Sequence, residues 1–148
     1  MHILMTGGTG LIGTATCAAL YADGHKLTIL TRRARPATTE ATYITSLEEC
    51  AETVDVVVNL AGAGLADRRW SSAYKRLIVS SRVDLTRELV VWMGELEKPP
   101  KRLISASAIG YYGAADEQTF SEGAGVGTGF SAALCQSSES SSPSITPS

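Results

Sequence analysis

The first thirteen residues constrain the fold of this chain more than any other segment. They read M-H-I-L-M-T-G-G-T-G-L-I-G, and a helical pattern follows over residues 11–22. In a strand–loop–helix unit that binds a dinucleotide, the first glycine allows a tight turn and the second lets backbone approach a pyrophosphate. The third glycine packs the helix against the strand. The helix N-terminus then offers free N–H groups to the phosphates. The segment predicts a dinucleotide site formed by Gly7, Gly10, Leu11, Ile12 and Gly13.

Length and composition fit one soluble domain. The chain has 148 residues, of which 44% are hydrophobic, and this is enough to bury a core. A net charge of −2 gives no indication of nucleic-acid or membrane binding through bulk charge. Cys17, Cys50 and Cys135 lack metal-ligand spacing, and their odd number favours a reducing cytoplasm over a disulfide framework. We expect neither a cleavable signal, because the first strand begins at His2, nor a membrane span.

Apolar runs at residues 26–31, 54–60 and 102–107 alternate with helical segments. A weaker strand is predicted at 42–45, followed by a short helix at 46–52. Continuous apolar strands separated by helices indicate a parallel sheet that is covered on both faces. The right-handed crossover rule then predicts an α/β fold with a Rossmann-type doubly wound sheet, whose ligand crevice lies at the carboxyl ends of the strands.

A long helical region is predicted over residues 71–97, and the pattern leaves open a break near Ser80 and Ser81. Two apolar stripes run along it, one of which should face the sheet. The second stripe either packs as ordinary core, the interpretation that we favour, or forms a homodimer interface. The stripes are Val79, Val83, Val90 and Met93, and Leu85, Leu89, Trp92 and Leu96.

The composition changes at residue 137, where the chain continues S-S-E-S-S-S-P-S-I-T-P-S. Such a segment is too poor in apolar residues to order itself, so residues 1–136 are predicted to form the domain and 137–148 a flexible tail. The alternation of strands and helices also stops early for a six-stranded dinucleotide fold. We therefore expect a C-terminally truncated or frame-shifted copy of a longer protein.

The end of the second predicted strand indicates which nicotinamide cofactor is preferred. The strand ends L-T-R-R and is followed by no carboxylate that would bind a ribose 2′-hydroxyl. The planar forks of Arg32 and Arg33 suit a 2′-phosphate, which favours NADP(H) over NAD; the alternative is a solvated basic turn. The third strand ends N-L-A-G, and the backbone of Leu60, Ala61 and Gly62 is expected to form the second wall of the crevice.

Five segments together resemble a known family: G-G-T-G-L-I-G, N-L-A-G, A-D-R-R-W at 66–70, S-R-V-D-L-T at 81–86 and S-A-S-A-I-G-Y-Y-G at 105–113. They are similar to the atypical short-chain dehydrogenase/reductases, and within these to the bacterial YfcH-like epimerase family, related to nucleotide-sugar epimerases and dehydratases. The resemblance covers residues 1–135, whereas family members are about twice this length. It implies NAD(P) binding and hydride chemistry on a carbonyl or sugar-nucleotide-like substrate.

In the wider superfamily, a tyrosine in a Y-x-x-x-K motif acts as acid and base, and the lysine lowers its pKa. No tyrosine of this chain has a lysine four residues on, and Cys135 lies where the resemblance places the lysine. The resemblance aligns Arg82 with the usual asparagine. It makes Ser107, four residues before Tyr111, the candidate for the serine that polarises the substrate oxygen, whereas an alignment on Tyr112 places Ala108 there. The alternative is that Ser107 is only a small polar residue at the end of a buried strand. The resemblance makes Tyr111 a wall of the substrate pocket.

Three functions remain open from the sequence. The first is an oxidoreductase or epimerase domain with Ser107, Arg82 and Tyr111 as its candidate catalytic residues. The second is a non-catalytic NADP(H)-binding protein, which the missing Y-x-x-x-K motif favours. The third is an inactive fragment, which the serine-rich segment favours. None of the three involves a metal ion, nucleic acid or a membrane, and the substrate is a small molecule.

Overall fold

The computed structural model describes residues 1–113 and 118–142. Within them, five parallel strands form one sheet in the order β3-β2-β1-β4-β5. The predicted Rossmann-type α/β fold is confirmed, and the weaker predicted strand forms an edge of the sheet. The strands are β1 (His2–Thr6), β2 (Lys26–Leu30), β3 (Thr42–Ile44), β4 (Val56–Asn59) and β5 (Arg102–Ser105).

Four α-helices are α1 (Leu11–Ala22), α2 (Ser72–Val79), α3 (Leu85–Glu95) and α4 (Phe130–Ser140). A π-helical turn, Ser80–Asp84, joins α2 to α3 without a break in helical backbone, so the long predicted helix changes its winding where the sequence suggested an interruption. The helix predicted at 46–52 is only a 3₁₀ turn, Leu47–Glu49. A second 3₁₀ turn, Ile109–Tyr112, follows β5.

Both faces of the sheet carry a core because alternate residues of a strand point to opposite sides. On one side Leu4 and Val57 pack beneath α3, against Leu89 and Met93. On the other side the buried cluster is Ile3, Met5, Leu27, Ile29, Ala41 and Val58, with Cys17 and Leu20 of α1 packed against it. This two-sided burial explains why the strand sequences are continuously apolar.

The two predicted stripes of the long helix are not separate in the structure. Val83 and Met93 from one stripe and Leu89 from the other are all buried. The extra residue in the π turn changes the angular position of everything that follows, which a constant helical period cannot represent. Val91, outside both stripes, is 60% exposed. The homodimer interface stays a prediction.

The C-terminal boundary of the ordered region differs from the prediction. Helix α4 continues to Ser140, so residues 137–140, assigned to the flexible tail, are helical. The physical reason is tertiary packing: Ser138 is only 6% exposed and continues the buried face formed by Leu134 and Cys135. Residues 141 and 142 follow the helix in a turn, and the remaining residues of the predicted tail, 143–148, lie outside the described residues.

Because the strands are parallel, the segments that follow β1, β2, β4 and β5 all leave the sheet at one edge. These segments contain most of the residues singled out from the sequence. Within the described part of the chain, no helix is long and apolar enough to cross a membrane.

Candidate functional site

The glycine loop is held so closely against its surroundings that side chains are excluded. Gly7 has a φ of +70°, and a Cβ placed on it would lie 2.6 Å from the carbonyl carbon of Leu60. A Cβ on Gly13 would lie 2.1 Å from the carbonyl oxygen of Gly7. Gly10 N–H donates to that same oxygen over 3.0 Å. The loop therefore packs directly between the end of β1 and the segment that follows β4.

The N-terminus of α1 opens to solvent above this loop. Gly10 is the N-cap residue and supplies no side-chain acceptor to the first-turn N–H groups. Leu11 is 93% exposed and Ile12 is 70% exposed. Uncapped N–H groups and the positive end of the helix dipole make such a terminus suited to an anion. A glycine cradle with an open helix end fits the pyrophosphate of a dinucleotide.

Arg32 and Arg33 follow β2, whose last residue, Leu30, is in register with Thr6 at the end of β1. Both arginines are exposed. Thr31 Oγ1 donates to the carbonyl oxygen of Arg33 over 2.7 Å and fixes the local turn. Neither arginine forms an ion pair with any residue in 1–113 or 118–142. The two guanidinium groups are thus available to an anion beside the glycine loop.

A buried chain of hydrogen bonds fixes the start of the second crevice wall. Thr6 Oγ1 donates to Asn59 Oδ1 over 2.6 Å and accepts from the N–H of Ala61 over 3.2 Å. Asn59 Nδ2 donates to Thr86 Oγ1 over 2.9 Å, and Thr86 Oγ1 donates to the carbonyl oxygen of Arg82 over 2.6 Å. This Thr6–Asn59–Thr86 chain connects β1, β4 and the π turn.

A cavity of about 280 Å³ lies at the carboxyl ends of β4 and β5 and is closed on one side by α4. It brings together the predicted wall residues and two of the three candidate catalytic residues. The lining includes Leu60, Ala61, Gly62, Arg82, Ser105, Ser107, Ile109, Ser131, Leu134 and Cys135.

Arg82 is half-buried and is one of the residues that line this cavity. Its Nη1 donates to the carbonyl oxygens of Ala63 and Ile78 over 3.0 and 3.3 Å. A Cβ on Gly62 would lie 2.6 Å from Arg82 Cζ, so the side chain passes directly over that glycine. Burial lowers the pKa of Arg82, although an arginine stays charged at neutral pH. No carboxylate of the described residues forms an ion pair with it.

Ser107 lies at the cavity mouth and donates a hydrogen bond to the carboxylate of Glu139 on α4. Sequence reasoning missed Glu139, because it belongs to the serine-rich segment that was assigned to the tail. The two residues are 32 positions apart, and no local pattern connects them. The pair places a hydroxyl between the cavity and a carboxylate, an arrangement that can transfer a proton.

Tyr111 is not brought into the cavity with Ser107 and Arg82 in the described part of the structure. Its ring lies edge-on to that of Tyr112, with centroids 5.3 Å apart, and Tyr112 stacks on Phe120 at 5.2 Å. The Tyr111 carbonyl accepts from the N–H of Gly127 over 2.9 Å. Through these contacts Tyr111 packs within the loop that follows β5. The catalytic role of Tyr111 stays a prediction.

Comparisons with known proteins agree with this architecture. The model of the NAD dependent epimerase/dehydratase family matches residues 3–128. The epimerase family protein YfhF of Bacillus subtilis is 40% identical over 129 residues, which are 82% of this chain and 42% of that protein. The human epimerase family protein SDR39U1 is 33% identical over 116 residues, which are 76% of this chain and 38% of that protein.

Solved structures of epimerase family proteins also match this chain. A crystal structure of human SDR39U1 (isoform 2) with NADPH matches 97% of this chain and 49% of its own, with a TM-score of 0.84 and 27% identity. A UDP-glucuronic acid 4-epimerase of Bacillus cereus, with UDP-glucuronic acid and NAD, has a TM-score of 0.76 at 18% identity and shares the fold; 95% of this chain and 51% of that one are covered. The chain spans about half the length of these relatives or less. The predicted resemblance is thereby confirmed, and the chain belongs to the NAD dependent epimerase/dehydratase family.

Proposed function

We propose that this chain is the NADP(H)-binding Rossmann domain of an epimerase-family oxidoreductase that acts on a carbonyl or sugar-nucleotide-like substrate. The observation that carries the proposal is the glycine loop, where Gly13 approaches Gly7 too closely for any side chain beneath an uncapped helix end. The N–H groups of Leu11, Ile12 and Gly13 would hold the pyrophosphate.

The preference for NADP(H) is supported by the unpaired guanidinium groups of Arg32 and Arg33 beside the loop. The crystal structure of the human relative is one with NADPH, whereas the more distant epimerase was crystallised with NAD. Both cofactors therefore occur among proteins of this fold. Charge at the end of β2 is the feature of this chain that distinguishes between them.

When bound, a nicotinamide ring accepts or supplies hydride. The chain's own contribution would be proton transfer at the substrate oxygen. The Ser107 hydroxyl donates to the Glu139 carboxylate, so the Ser107 oxygen can accept a hydrogen bond from a substrate hydroxyl. The pair would take over the task that the Y-x-x-x-K motif performs elsewhere in the superfamily.

A non-catalytic NADP(H)-binding role is the second candidate function. It is favoured by the position of Tyr111 outside the cavity, together with the absence of a Y-x-x-x-K motif from the sequence. In a full-length family member, cofactor affinity without hydride transfer to any carbonyl substrate would favour this role.

Thermal unfolding of the purified chain with NADPH, with NADH and with neither tests cofactor binding. At one hundred times the Kd, a ligand stabilises the folded state by about 2.7 kcal/mol, which is a readable shift. A rise with NADPH that exceeds the rise with NADH is expected. Equal shifts would contradict the role of Arg32 and Arg33 in selecting the 2′-phosphate of NADPH. Cooperative unfolding that responds to neither cofactor would reject cofactor binding, and the absence of a cooperative transition would favour the inactive fragment.

A further inference from the structure

Only some of the N–H donors of the Arg82 guanidinium form hydrogen bonds within the described residues. An arginine has five N–H donors, and the two on Nη1 are used by the carbonyl oxygens of Ala63 and Ile78. The N–H groups on Nε and Nη2 have no hydrogen-bond partner in the described part of the chain. Those two nitrogens form the planar fork that matches the two oxygens of a carboxylate.

Gly62 determines how this fork is oriented. A Cβ on Gly62 would lie 2.6 Å from Cζ, 2.8 Å from Nη2 and 3.0 Å from Nε of Arg82. Three similar distances mean that the flat face of the guanidinium covers Gly62. The Nε–Nη2 edge therefore points along the plane of the group and stays free of the backbone beneath it. Arg82 is one of the residues that line the cavity.

The cavity has a positive charge from Arg82. Among the described residues that line it, none is aspartate or glutamate. Burial disfavours the charged form of Arg82, as the direction of its pKa shift indicates, and a bound anion would offset this cost. Glu139 lies outside the lining, is exposed to solvent and accepts the Ser107 hydrogen bond.

The size of the cavity limits what can enter. Its volume of about 280 Å³ is just below the roughly 300–1,000 Å³ of ordinary ligand pockets. Leu60, Ile109 and Leu134 supply apolar walls, and Ser105, Ser107 and Ser131 supply hydroxyl groups. A small molecule with one charged end and a short apolar body fits this combination.

We propose that the cavity binds a short 2-oxo or 2-hydroxy acid, with its carboxylate on the Nε–Nη2 edge of Arg82 and its second oxygen toward Ser107. The inference rests on the proposed function, because it names the substrate class of the same crevice. A phosphate group would present similar anionic oxygens, and the test separates the two.

The first arm needs no variant. The full 148-residue chain is titrated by calorimetry with 2-oxobutyrate, with the uncharged 2-oxobutyramide and with methyl phosphate, in the presence and absence of NADPH. We expect 2-oxobutyrate to bind at least about tenfold more tightly than the amide, since the charged hydrogen bonds of the fork are lost with the amide. Equal affinities for acid and amide, or tighter binding of methyl phosphate, would overturn the proposal.

The second arm changes the fork. Arg82→Gln removes the charge and is expected to abolish the preference for the acid. Arg82→Lys retains the charge without the planar edge, and this variant should lose most of the preference for the acid. Gly62→Ala keeps the arginine in the sequence but forces its guanidinium group to move. It should weaken the preference for the acid in the same way. Arg76→Gln is the matched control, because Arg76 is an exposed arginine of the same helical region and has no ion pair among the described residues.

NADPH affinity, measured on the same variants, separates this inference from the proposed function. The expected result is that Arg82→Gln loses its affinity for 2-oxobutyrate and retains its affinity for NADPH. Loss of NADPH with no change in 2-oxobutyrate binding would assign Arg82 to a cofactor phosphate and overturn the inference alone. Binding of 2-oxobutyrate by a chain that binds no NADPH would reject the proposed function and leave the acid site standing.

Discussion

The Cα of Gly13 packs against the carbonyl oxygen of Gly7 so closely that a Cβ on Gly13 would lie 2.1 Å from that oxygen. No rotamer can relieve this contact, because both partners are backbone. The first turn of α1 can lie on the glycine loop only if residue 13 has no side chain. Helix packing and the anion cradle thus depend on the same atom pair.

Gly13→Ala is therefore expected to move the helix off the loop. We expect a loss of about 1–3 kcal/mol in the free energy of unfolding, as for other overpacked sites, together with loss of NADPH binding. Urea denaturation and NADPH fluorescence titration measure the two effects. The matched control is Gly94→Ala on α3, where a Cβ meets nothing within 4 Å. It should raise stability by about 0.5–1 kcal/mol. Equal behaviour of the two variants would contradict this account of the loop.

Replacing both Arg32 and Arg33 by glutamine should change cofactor selectivity without changing the fold. We expect NADPH affinity to fall about tenfold or more and NADH affinity to stay nearly constant, because only NADPH carries the 2′-phosphate. Fluorescence titration of each cofactor gives the ratio. Arg102→Gln is the control, since Arg102 is exposed at the amino end of β5, at the opposite edge of the sheet. A parallel loss of both cofactors would show that the arginines act on another part of the dinucleotide.

Thr86→Val tests the buried Thr6–Asn59–Thr86 chain with a side chain of the same shape. Thr86 is completely buried, and its loss removes one hydrogen bond from the Asn59 amide and one from the Arg82 carbonyl. The Asn59 amide keeps its bond to Ser105 Oγ, and the Arg82 carbonyl keeps the N–H of Leu85. A decrease of about 1–3 kcal/mol in the free energy of unfolding is expected. Thr16→Val removes an equivalent hydrogen bond to a helix carbonyl at an exposed position and should cost no more than about 0.5 kcal/mol. Similar free-energy costs at the two positions would mean that the buried hydrogen bonds stabilise the fold no more than the one formed by Thr16.

Glu49 gives a prediction for acid conditions. The hydroxyl and the N–H of Thr45 both donate to Glu49 Oε1, over 2.7 and 3.1 Å, and lower the pKa of Glu49 from its ordinary value of 4.5. A folded-state pKa below the unfolded one stabilises the fold at pH above about 4.5, and this contribution is lost as pH falls through the folded-state pKa.

The stability difference between wild type and Glu49→Gln should thus be largest near neutral pH and shrink toward pH values well below the ordinary pKa of glutamate. Urea titrations across that range measure it. Glu49→Gln made in a Thr45→Val background is expected to show a smaller trend, because the hydroxyl donor is already absent there. A difference that grows on acidification would have the wrong sign and would reject this role for Thr45.

Sequence reasoning found the parts of this fold that depend on local pattern. The strand before Gly7, the helix after it and the apolar run that became β4 are all visible in neighbouring residues. The N-L-A-G exit was placed in the crevice because parallel strands end at one edge. The weak strand predicted at 42–45 is also confirmed, since its first three residues pair with β2.

The errors concern contacts between distant segments. Ser138 was assigned to a tail because serine-rich composition predicts disorder, whereas burial beside Leu134 holds it in α4. Glu139 was overlooked for the same reason, although it accepts the Ser107 hydrogen bond across 32 residues. The free edge of Arg82 depends on the distance between its side chain and Gly62, which no spacing in the sequence encodes.

The π turn at Ser80–Asp84 has a consequence for how this region can vary. Deleting a single residue there would restore a regular α-helix, because a π turn contains one residue more than the α-helical turn it replaces. The faces of α2 and α3 would keep their positions, and the wider turn that carries Arg82 would be lost. Evolution at this segment is therefore constrained in residue number as well as in residue type. An insertion or deletion between residues 80 and 84 would mark divergence of the site more reliably than any point substitution.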